Sequence, residues 1–424
     1  MNPSTSEIRR YQFRIALVFA VACVILLIVM YLFDITGEAV AGHYRSADEA
    51  FRGDLGTFEY PPLALLVLVL PRIFSADTFW YNVGFVAEMF IFFVIGLFVI
   101  SKLAEKLGKD QKKLMLAYTI LMLLLFELVI DRYDIIPAVI ALAAVYCFVT
   151  KRYTWAFALL AIGMMVKLYP AVLFPVFMIP LIMNKEWKNA LKGAAAFGAV
   201  CLAVVIPVVM LQPDMLSGFI GYHADRPLQI ESLSASLIYP FVLLGLTGVT
   251  FGFGFGSDNM LGPLPDATAQ ILTPLMVVAV LAVCGLYLFV LSRIKNCSAE
   301  DRLFFFSVAA VLTIMAFILS GKVFSAQYLI WIIPPVLFMF MTMNDERKER
   351  AMFIVLVISF ILTQIGFAYI SGYLDIINTQ NMDGLAMALV LTRNIFMIVL
   401  LVCMIRAAYR RFILCRNASA VTSE

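Results

Sequence analysis

Charged residues are scarce in this chain of 424 residues, at 14% of its composition, whereas soluble domains carry roughly 25%. Hydrophobic residues reach 63%, and 36 residues are phenylalanine. A chain this apolar has too few polar groups to cover its surface in water. The composition therefore predicts a polytopic membrane protein that contacts membrane lipids, and we expect no nucleic-acid partner.

The sequence also lacks a cleavable signal peptide, a Gly-rich nucleotide-binding loop and any cysteine spacing typical of a metal site. Five of the seven cysteines lie inside apolar runs, while Cys297 and Cys415 fall in segments predicted to be cytoplasmic. We expect no exoplasmic disulfide, no dedicated metal site and no cofactor. The exoplasmic acidic residues could still bind a divalent cation, so that alternative stays open. The stretch GVTFGFGFGSD (248–258) alternates glycines with aromatics, and we interpret it as a flexible loop.

Apolar runs of spanning length predict twelve transmembrane helices in a single all-α domain that fills residues 1–424. A helix needs about 20 residues to cross the bilayer. Two other runs, 61–74 and 233–247, are shorter and could be either short spans or helices within one leaflet. The twelve long runs are 15–34, 79–102, 112–130, 134–150, 153–168, 168–184, 190–211, 267–293, 303–320, 325–342, 350–370 and 385–407.

The distribution of cations decides between these alternatives. If only the long runs cross, most of the 31 Lys and Arg residues fall on one face, as the positive-inside rule requires of the cytoplasmic side. If the run 61–74 crossed the membrane, the cationic linker 102–113 would lie on the exoplasmic side. We therefore predict a plasma-membrane protein with both termini cytoplasmic and with exoplasmic loops at 34–78 and 212–266. The short runs become exoplasmic juxtamembrane or re-entrant helices, whose backbone ends protein or a water-filled cavity can satisfy.

A few cations remain on the predicted exoplasmic face despite this rule, and they are candidates for function. Arg132 lies between Asp131 and Asp134 in the stretch IDRYDIIP. Lys167 lies where a span breaks before a proline, and Lys322 lies in the turn of a helical hairpin. Ionisable groups at such depth are costly and usually face a cavity or a partner. Salt bridges of Arg132 with its acidic neighbours, and snorkelling of Lys167 to the interface, are the structural alternatives.

A dense group of polar residues precedes the second short run, in the stretch GYHADRPLQIESLSASLIYP (221–240). A solvated loop that ends in a serine helix cap would explain it. Such a density is unusual in so apolar a chain, so we favour a binding role. The group consists of His223, Asp225, Arg226, Gln229, Glu231 and Ser232.

These residue types on one face of a membrane indicate a class of chemistry. A carboxylate can take a proton from a hydroxyl as a general base, and cations can stabilise a phosphate leaving group. The pattern favours a site for a sugar carried on a lipid phosphate. A twelve-span secondary transporter or lipid flippase is the alternative, because transporters place charges on broken helices. A ligase that transfers a whole glycan is a third reading, which the short exoplasmic loops disfavour.

The stretches FEYPPLALLVLVLP, DRYDIIPAVIALAAVYCFV, VKLYPAVLFPVF, YHADRPLQIES and KVFSAQYLIWIIP occur in this order. Together they resemble glycosyltransferase family 87, membrane GT-C enzymes that include polyprenol-phosphate-mannose-dependent α-mannosyltransferases. The similarity extends from the first span to about residue 343. It implies a GT-C fold with juxtamembrane helices in the first exoplasmic loop. It also implies inverting transfer of a sugar, such as mannose, from a polyprenyl-phosphate-sugar donor to a glycolipid or glycan acceptor.

The resemblance further implies that an aspartate at the outer end of the first span is the catalytic base, which is Asp34 here. The segment ITGEAVAGHY after it departs from the family pattern, so Asp54, ahead of the Pro-Pro pair, is the alternative base. Five residues are expected to bind the donor phosphate, and further polar residues to line the substrate site. The first set is Lys322, Arg226, His223, Lys167 and Arg132; the second is Glu59, Tyr60, Asp131, Asp134, Gln229, Glu231, Ser325, Gln327 and Tyr328.

Overall fold

The computed structural model describes residues 4–33, 38–53, 58–294, 297–373 and 384–421, which are mostly helical. The predicted all-α membrane fold class is thereby confirmed. The chain divides into two compact units. The first unit comprises Met1–Phe174 and Lys185–Ala224, and the second comprises Pro175–Asn184 and Asp225–Glu424. The interpretation of residues 1–424 as one domain stays a prediction.

The first unit is built from helices alone in its described part. The helix α9 begins in the first unit, which ends at Phe174, and continues in the second unit. The helix α11 ends at the second division, between Ala224 and Asp225. The helices are α1 (Thr5–Phe33), α2 (Glu38–Phe51), α3 (Ala64–Phe74), α4 (Thr78–Lys106), α5 (Gln111–Leu124), α6 (Phe126–Asp131), α7 (Ile135–Val149), α8 (Tyr153–Val166), a 3-10 helix (Tyr169–Val172), α9 (Leu173–Met183), α10 (Trp187–Leu211) and α11 (Pro213–Asp225).

The second unit adds a small antiparallel sheet, in the order β1-β3-β2, to its helices. Its elements are β1 (Leu228–Gln229), α12 (Leu233–Leu243), β2 (Thr250–Gly254), β3 (Ser257–Leu261), α13 (Pro263–Arg293), α14 (Ala299–Leu319), a 3-10 helix (Ala326–Tyr328), α15 (Leu329–Thr342), α16 (Glu346–Tyr373) and α17 (Gly384–Val421).

The hairpin β2–β3 shows that the interpretation of 248–258 as a flexible loop was wrong. Thr250 pairs with Leu261, and Gly254 pairs with Ser257 at the closed end. The two residues between the strands, Phe255 and Gly256, have φ of 55° and 64°. Positive φ at both positions is the geometry of a two-residue hairpin turn whose twist matches its strands. The alternation of aromatics and glycines is therefore the period of a strand.

Seven described helices are long and apolar enough to cross a membrane. They are Thr5–Phe33, Thr78–Lys106, Trp187–Leu211, Pro263–Arg293, Ala299–Leu319, Glu346–Phe367 and Gly384–Asn417. The other five predicted spans coincide with shorter or interrupted helices: 112–130, for example, divides at Leu125 into α5 and α6. The total of twelve spans stays a prediction.

The two short apolar runs form the short helices α3 and α12. In α3, Tyr81 of α4 donates a hydrogen bond to the carbonyl of Leu68 at 3.1 Å. The Pro-Pro segment ahead of α3 is tied to the end of α8, because the Leu63 amide donates to the Met165 carbonyl at 2.8 Å. The start of α3 is thus anchored beside Met165, two residues before Lys167.

Close packing in the first unit depends on α4, which contacts α1, α3, α5 and α7. The rings of Phe19 and Phe93 stack with centroids 3.8 Å apart, and Phe93 stacks on Tyr118 at 5.5 Å. Gly96 permits α5 to approach, because a Cβ there would lie 2.2 Å from the Tyr118 hydroxyl oxygen. A glycine at this helix contact therefore sets the spacing of α4 and α5.

The second unit has an apolar cluster that joins β1, β3, α12, α13 and α17. Leu228 and Met260 are opposite each other in the sheet, and both are fully buried. Ile230 continues this cluster from the end of β1. Burial of the sheet against helices fixes the segment that follows Arg226 and leads into α12.

Candidate functional site

The described candidate residues fall into two groups, one in each unit, apart from His223, Gln327 and Tyr328. Both aspartates expected to act as the base, Asp34 and Asp54, lie outside the described residues. The first-unit cluster consists of His43, Glu59, Tyr60, Asp131, Arg132, Tyr133, Asp134 and Lys167. The second-unit cluster consists of Asp225, Arg226, Gln229, Glu231, Ser232, Lys322, Ser325 and Arg393.

Lys167 and Asp134 form a buried ion pair between the ends of two helices. Asp134 precedes α7 directly and is fully buried, and Lys167 follows α8 in extended backbone. The Lys167 Nζ lies 2.7 Å from Asp134 Oδ2. Because α7 and α8 are neighbours joined by a short turn, the residues before α7 and after α8 meet at one end. Pairing, rather than snorkelling, therefore accommodates the charge of Lys167.

Two tyrosine rings enclose the ammonium group of this pair. The Lys167 Nζ lies 4.6 Å from the ring centroid of Tyr133 and 5.9 Å from that of Tyr60, within the range of cation–π attraction. The two rings meet edge to face at 5.3 Å. Removal from water, and then the carboxylate of Glu59, raise the pKa of Tyr60 well above its ordinary value. Tyr60 therefore stays a neutral hydroxyl at any physiological pH.

Arg132 lies beside this pair, at the start of the turn into α7. Its Nε is 3.8 Å from Asp131 Oδ2, which is an ion pair without a hydrogen bond. Among the described residues no group accepts a hydrogen bond from this buried Nε. The salt bridge with Asp131, the structural alternative for Arg132, is thus present with loose geometry, and the expected role of Arg132 in phosphate binding stays a prediction.

His43 also belongs to the first-unit cluster, although it was not predicted from the sequence as a site residue. Its side chain is 3% exposed and lies 5.2 Å from the Phe85 ring and 5.6 Å from the Tyr133 ring. Burial, and then the positive charges of Arg132 and Lys167, hold the pKa of His43 well below its ordinary 6.5. The imidazole is therefore neutral. In the sequence, the helical spacing of Val40, His43 and Ala47 was the signal that could have placed His43 on the inner face of a helix. All three side chains are buried.

The helix α2 that carries His43 is anchored by polar contacts to α3 and to the start of α4. Asp48 accepts from Arg72 at 2.9 Å and from Arg52 at 2.6 Å. Tyr44 donates from its hydroxyl to the Ala76 carbonyl at 2.7 Å. The hydrogen bond from Arg72 is the largest cause that lowers the pKa of Asp48. These contacts orient the opposite face of α2, and with it His43, toward the cluster.

Arg226 and Lys322 bring two positive charges together in the second unit. Burial, and then the positive charge of Arg226, lower the pKa of Lys322, while Asp225 raises it. Arg226 also donates from Nη2 to the Ser257 hydroxyl at 3.1 Å, which orients its guanidinium against β3. Two neighbouring cations repel each other, so an anion bound between them would be stabilised by both.

Gln229 joins the two segments that carry these cations. Its backbone amide donates to the carbonyl of Lys322 at 3.0 Å, and its Oε1 accepts from the amide of Phe324 at 2.9 Å. Its Nε2 donates to Ser325 Oγ at 3.1 Å and to Glu231 Oε2 at 3.0 Å. The amide of Gln229 and the hydroxyl of Ser325 are both buried. These two side chains therefore hold the loops in place, and their expected role in lining the substrate site stays a prediction.

Glu231 is paired with Arg393 of α17, far along the chain. Arg393 is 1% exposed and donates from Nη1 to Glu231 Oε1 at 3.2 Å and from Nη2 to the Glu231 carbonyl at 2.5 Å. Asn394, also fully buried, donates to Ser236 Oγ at 2.8 Å and accepts from Arg393. Burial raises the pKa of Glu231, and the charge of Arg393 opposes this. Charge and hydrogen bonding thus tie α17 to the start of α12.

Three candidates lie elsewhere. His223 is exposed near the end of α11, with Phe219 4.7 Å and Tyr222 5.4 Å from its ring. Tyr328 stacks on Trp331 with centroids 3.8 Å apart, at the start of α15. Gln327 lies beside it in the 3-10 helix and is partly exposed.

In a comparison with protein families, the model of glycosyltransferase family 87 matches residues 58–321. This is more than half of the chain. The matched stretch contains Arg226 and the first-unit cluster from Glu59 onward, and it ends one residue before Lys322. Asp34 and Asp54 lie outside it. Among curated proteins, no match to the chain was found.

Proposed function

The chain belongs to glycosyltransferase family 87 and is a membrane glycosyltransferase, and from this premise we propose its donor, acceptor and mechanism. The donor is a polyprenyl-phosphate-sugar, with mannose as the sugar. The acceptor is a hydroxyl of a glycolipid or glycan. Transfer takes place on the exoplasmic face of the plasma membrane, with both termini in the cytoplasm.

The observation that carries this proposal is the pair of cations Arg226 and Lys322 on two loops that are held together by buried hydrogen bonds. In the donor of such a reaction, a phosphodiester joins the sugar to the lipid. The leaving group is therefore the polyprenyl phosphate, a phosphate monoester anion. Cations held in position by Gln229 stabilise that anion without reorganisation at the moment of reaction. Arg132 and Lys167 of the first-unit cluster are assigned to anionic groups of the substrates, and Glu59 and Tyr60 to sugar hydroxyls.

The proposed transfer proceeds in one inverting step. A carboxylate, Asp34 or alternatively Asp54, takes the proton of the acceptor hydroxyl as a general base. The acceptor oxygen attacks C1 of the sugar from the face opposite the phosphate. The bond between C1 and the phosphate oxygen breaks, and its electron pair leaves with the polyprenyl phosphate. The two cations of the second unit supply the electrostatic stabilisation of this leaving group.

The experiment that tests the proposal uses the full chain purified into lipid nanodiscs. It combines a radiolabelled polyprenyl-phosphate-mannose with glycolipid acceptors, and it compares the wild type with Asp34→Asn and Asp54→Asn. Loss of transfer in Asp34→Asn with retained donor binding supports Asp34 as the base. Loss in Asp54→Asn alone moves the base to Asp54 and keeps the reaction. In a parallel reconstitution into sealed vesicles, passage of the labelled lipid across the membrane without a new glycosidic bond would support the transporter alternative instead.

A further inference from the structure

The two cysteines that precede α14 and end α17 meet in the second unit, although they are far apart in the chain. Cys297 lies just before the N-cap residue of α14, and Cys415 lies near the end of α17. With Asp301, they bring two sulfurs and a carboxylate oxygen within 4.8 Å of one another. We propose that Cys297, Asp301 and Cys415 form a binding site for a thiophilic divalent cation, Zn²⁺. This proposal is independent of the glycosyltransferase function.

The donor set selects the type of metal. Thiolate sulfurs favour zinc and similar metals, whereas Ca²⁺ and Mg²⁺ prefer oxygen ligands. Around a tetrahedral zinc with bonds of about 2.0–2.3 Å, donor atoms are about 3.5–3.8 Å apart. The observed limit of 4.8 Å therefore requires a contraction of about 1.0–1.3 Å at most, within the reach of a cysteine rotamer in the loop. Cys297 is partly exposed, which leaves an entry path and a position for a water ligand.

The carboxylate is oriented by groups around it, as metal ligands usually are. Asp301 Oδ2 accepts from the Ser298 hydroxyl at 2.6 Å, within the capping box of α14. Asp301 Oδ1 accepts from Arg411 Nε at 2.5 Å. A carboxylate has about four lone-pair positions, so these bonds orient it without exhausting its capacity to bind a cation.

The charges also favour an occupied site. Two thiolates and a carboxylate with a divalent cation carry a net charge of −1. Arg411, in contact with Asp301, and the positive end of α14 compensate this negative charge. Arg411 and Cys415 are one helical turn apart on α17, so the same face of that helix supplies a ligand and its counter-charge. A bound zinc would clamp the start of α14 to the end of α17.

The test measures zinc binding to the full chain, without an affinity tag that binds metal. Protein purified under reducing conditions is stripped with a chelator, equilibrated with Zn²⁺ alone and desalted. We expect one zinc per wild-type chain and a loss of most of it in Cys297→Ser and Cys415→Ser. The matched control, Cys403→Ser on α17, should keep its zinc. Equal zinc in the wild type and both site variants would overturn the proposal.

Two measurements on the wild type keep the proposal testable if a variant fails to fold. Substitution by Co²⁺ should produce the thiolate charge-transfer band of a tetrahedral cobalt site, and bound Zn²⁺ should protect Cys297 and Cys415 from alkylation. Cobalt binding without that band would refute thiolate ligation. A disulfide between Cys297 and Cys415 in protein purified without reductant, together with no zinc uptake after its reduction, would replace the metal site by a redox pair and overturn the proposal as well.

Discussion

Replacement of Arg393 by methionine should destabilise the second unit strongly. Arg393 is buried to 1% exposure and is the ion-pair partner of Glu231, whose side chain is 11% exposed. Methionine has a similar length, so it fills the space but leaves the Glu231 carboxylate without its cation and the Glu231 carbonyl without its donor. Removal of one partner of a buried ion pair costs about 3–5 kcal/mol. Since domains are stable by roughly 5–15 kcal/mol, the loss is a large fraction of the total.

The assay is equilibrium unfolding of the detergent-solubilised protein with a denaturing detergent, followed by loss of tertiary circular dichroism. The matched control is Arg347→Met, because Arg347 is exposed at the start of α16 and surface substitutions stay within about 0.5 kcal/mol. The double variant with Glu231→Gln removes the uncompensated charge and should recover roughly 0.5–3 kcal/mol. An Arg393→Met variant as stable as the Arg347→Met control would show that the Arg393–Glu231 pair does not stabilise the second unit.

The remaining predictions concern three other positions. His43 is neutral in the folded protein and has an ordinary pKa of 6.5 in the unfolded chain. The free energy of unfolding should therefore fall as the pH decreases below 6.5, by at most about 1.4 kcal/mol per pH unit. The variant His43→Asn should flatten this slope, and His223→Asn, at the only other histidine, should not. Gly96→Ala should lower the melting temperature through overpacking of about 1–3 kcal/mol against Tyr118, with partial rescue by Tyr118→Phe; no change in melting would contradict the contact. Lys322→Gln should lower kcat/KM for transfer without loss of folding, and unchanged kinetics would remove Lys322 from the phosphate site.

Runs of apolar residues were sufficient to predict most of the helices, because each run reports a local property of its own segment. The short helices α3 and α12 were predicted in this way, whereas the ion pair between Asp131 and Arg132 was an alternative that their adjacency in the sequence offered. The hairpin β2–β3 was misread because its glycines suggested flexibility, although the aromatic alternation had the period of a strand.

Contacts between distant segments could not be predicted from local patterns. Arg393 lies inside the apolar run 385–407, but nothing near it in the sequence indicates Glu231 as its partner. Cys297 and Cys415 were assigned to the same face, yet only the packing of α14 against α17 brings them together. His43 was overlooked because the segment around it was interpreted as a loop and not as the amphipathic helix α2.

The donor requirement of the reconstituted protein distinguishes a lipid-linked sugar donor from a nucleotide sugar. Equal amounts of label are supplied as polyprenyl-phosphate-mannose or as a nucleoside diphosphate mannose, each with the same glycolipid acceptors, and the label in the product is counted. We expect transfer from the lipid-linked donor alone, reduced in Lys322→Gln. Transfer from the nucleotide sugar with none from the lipid donor would contradict it.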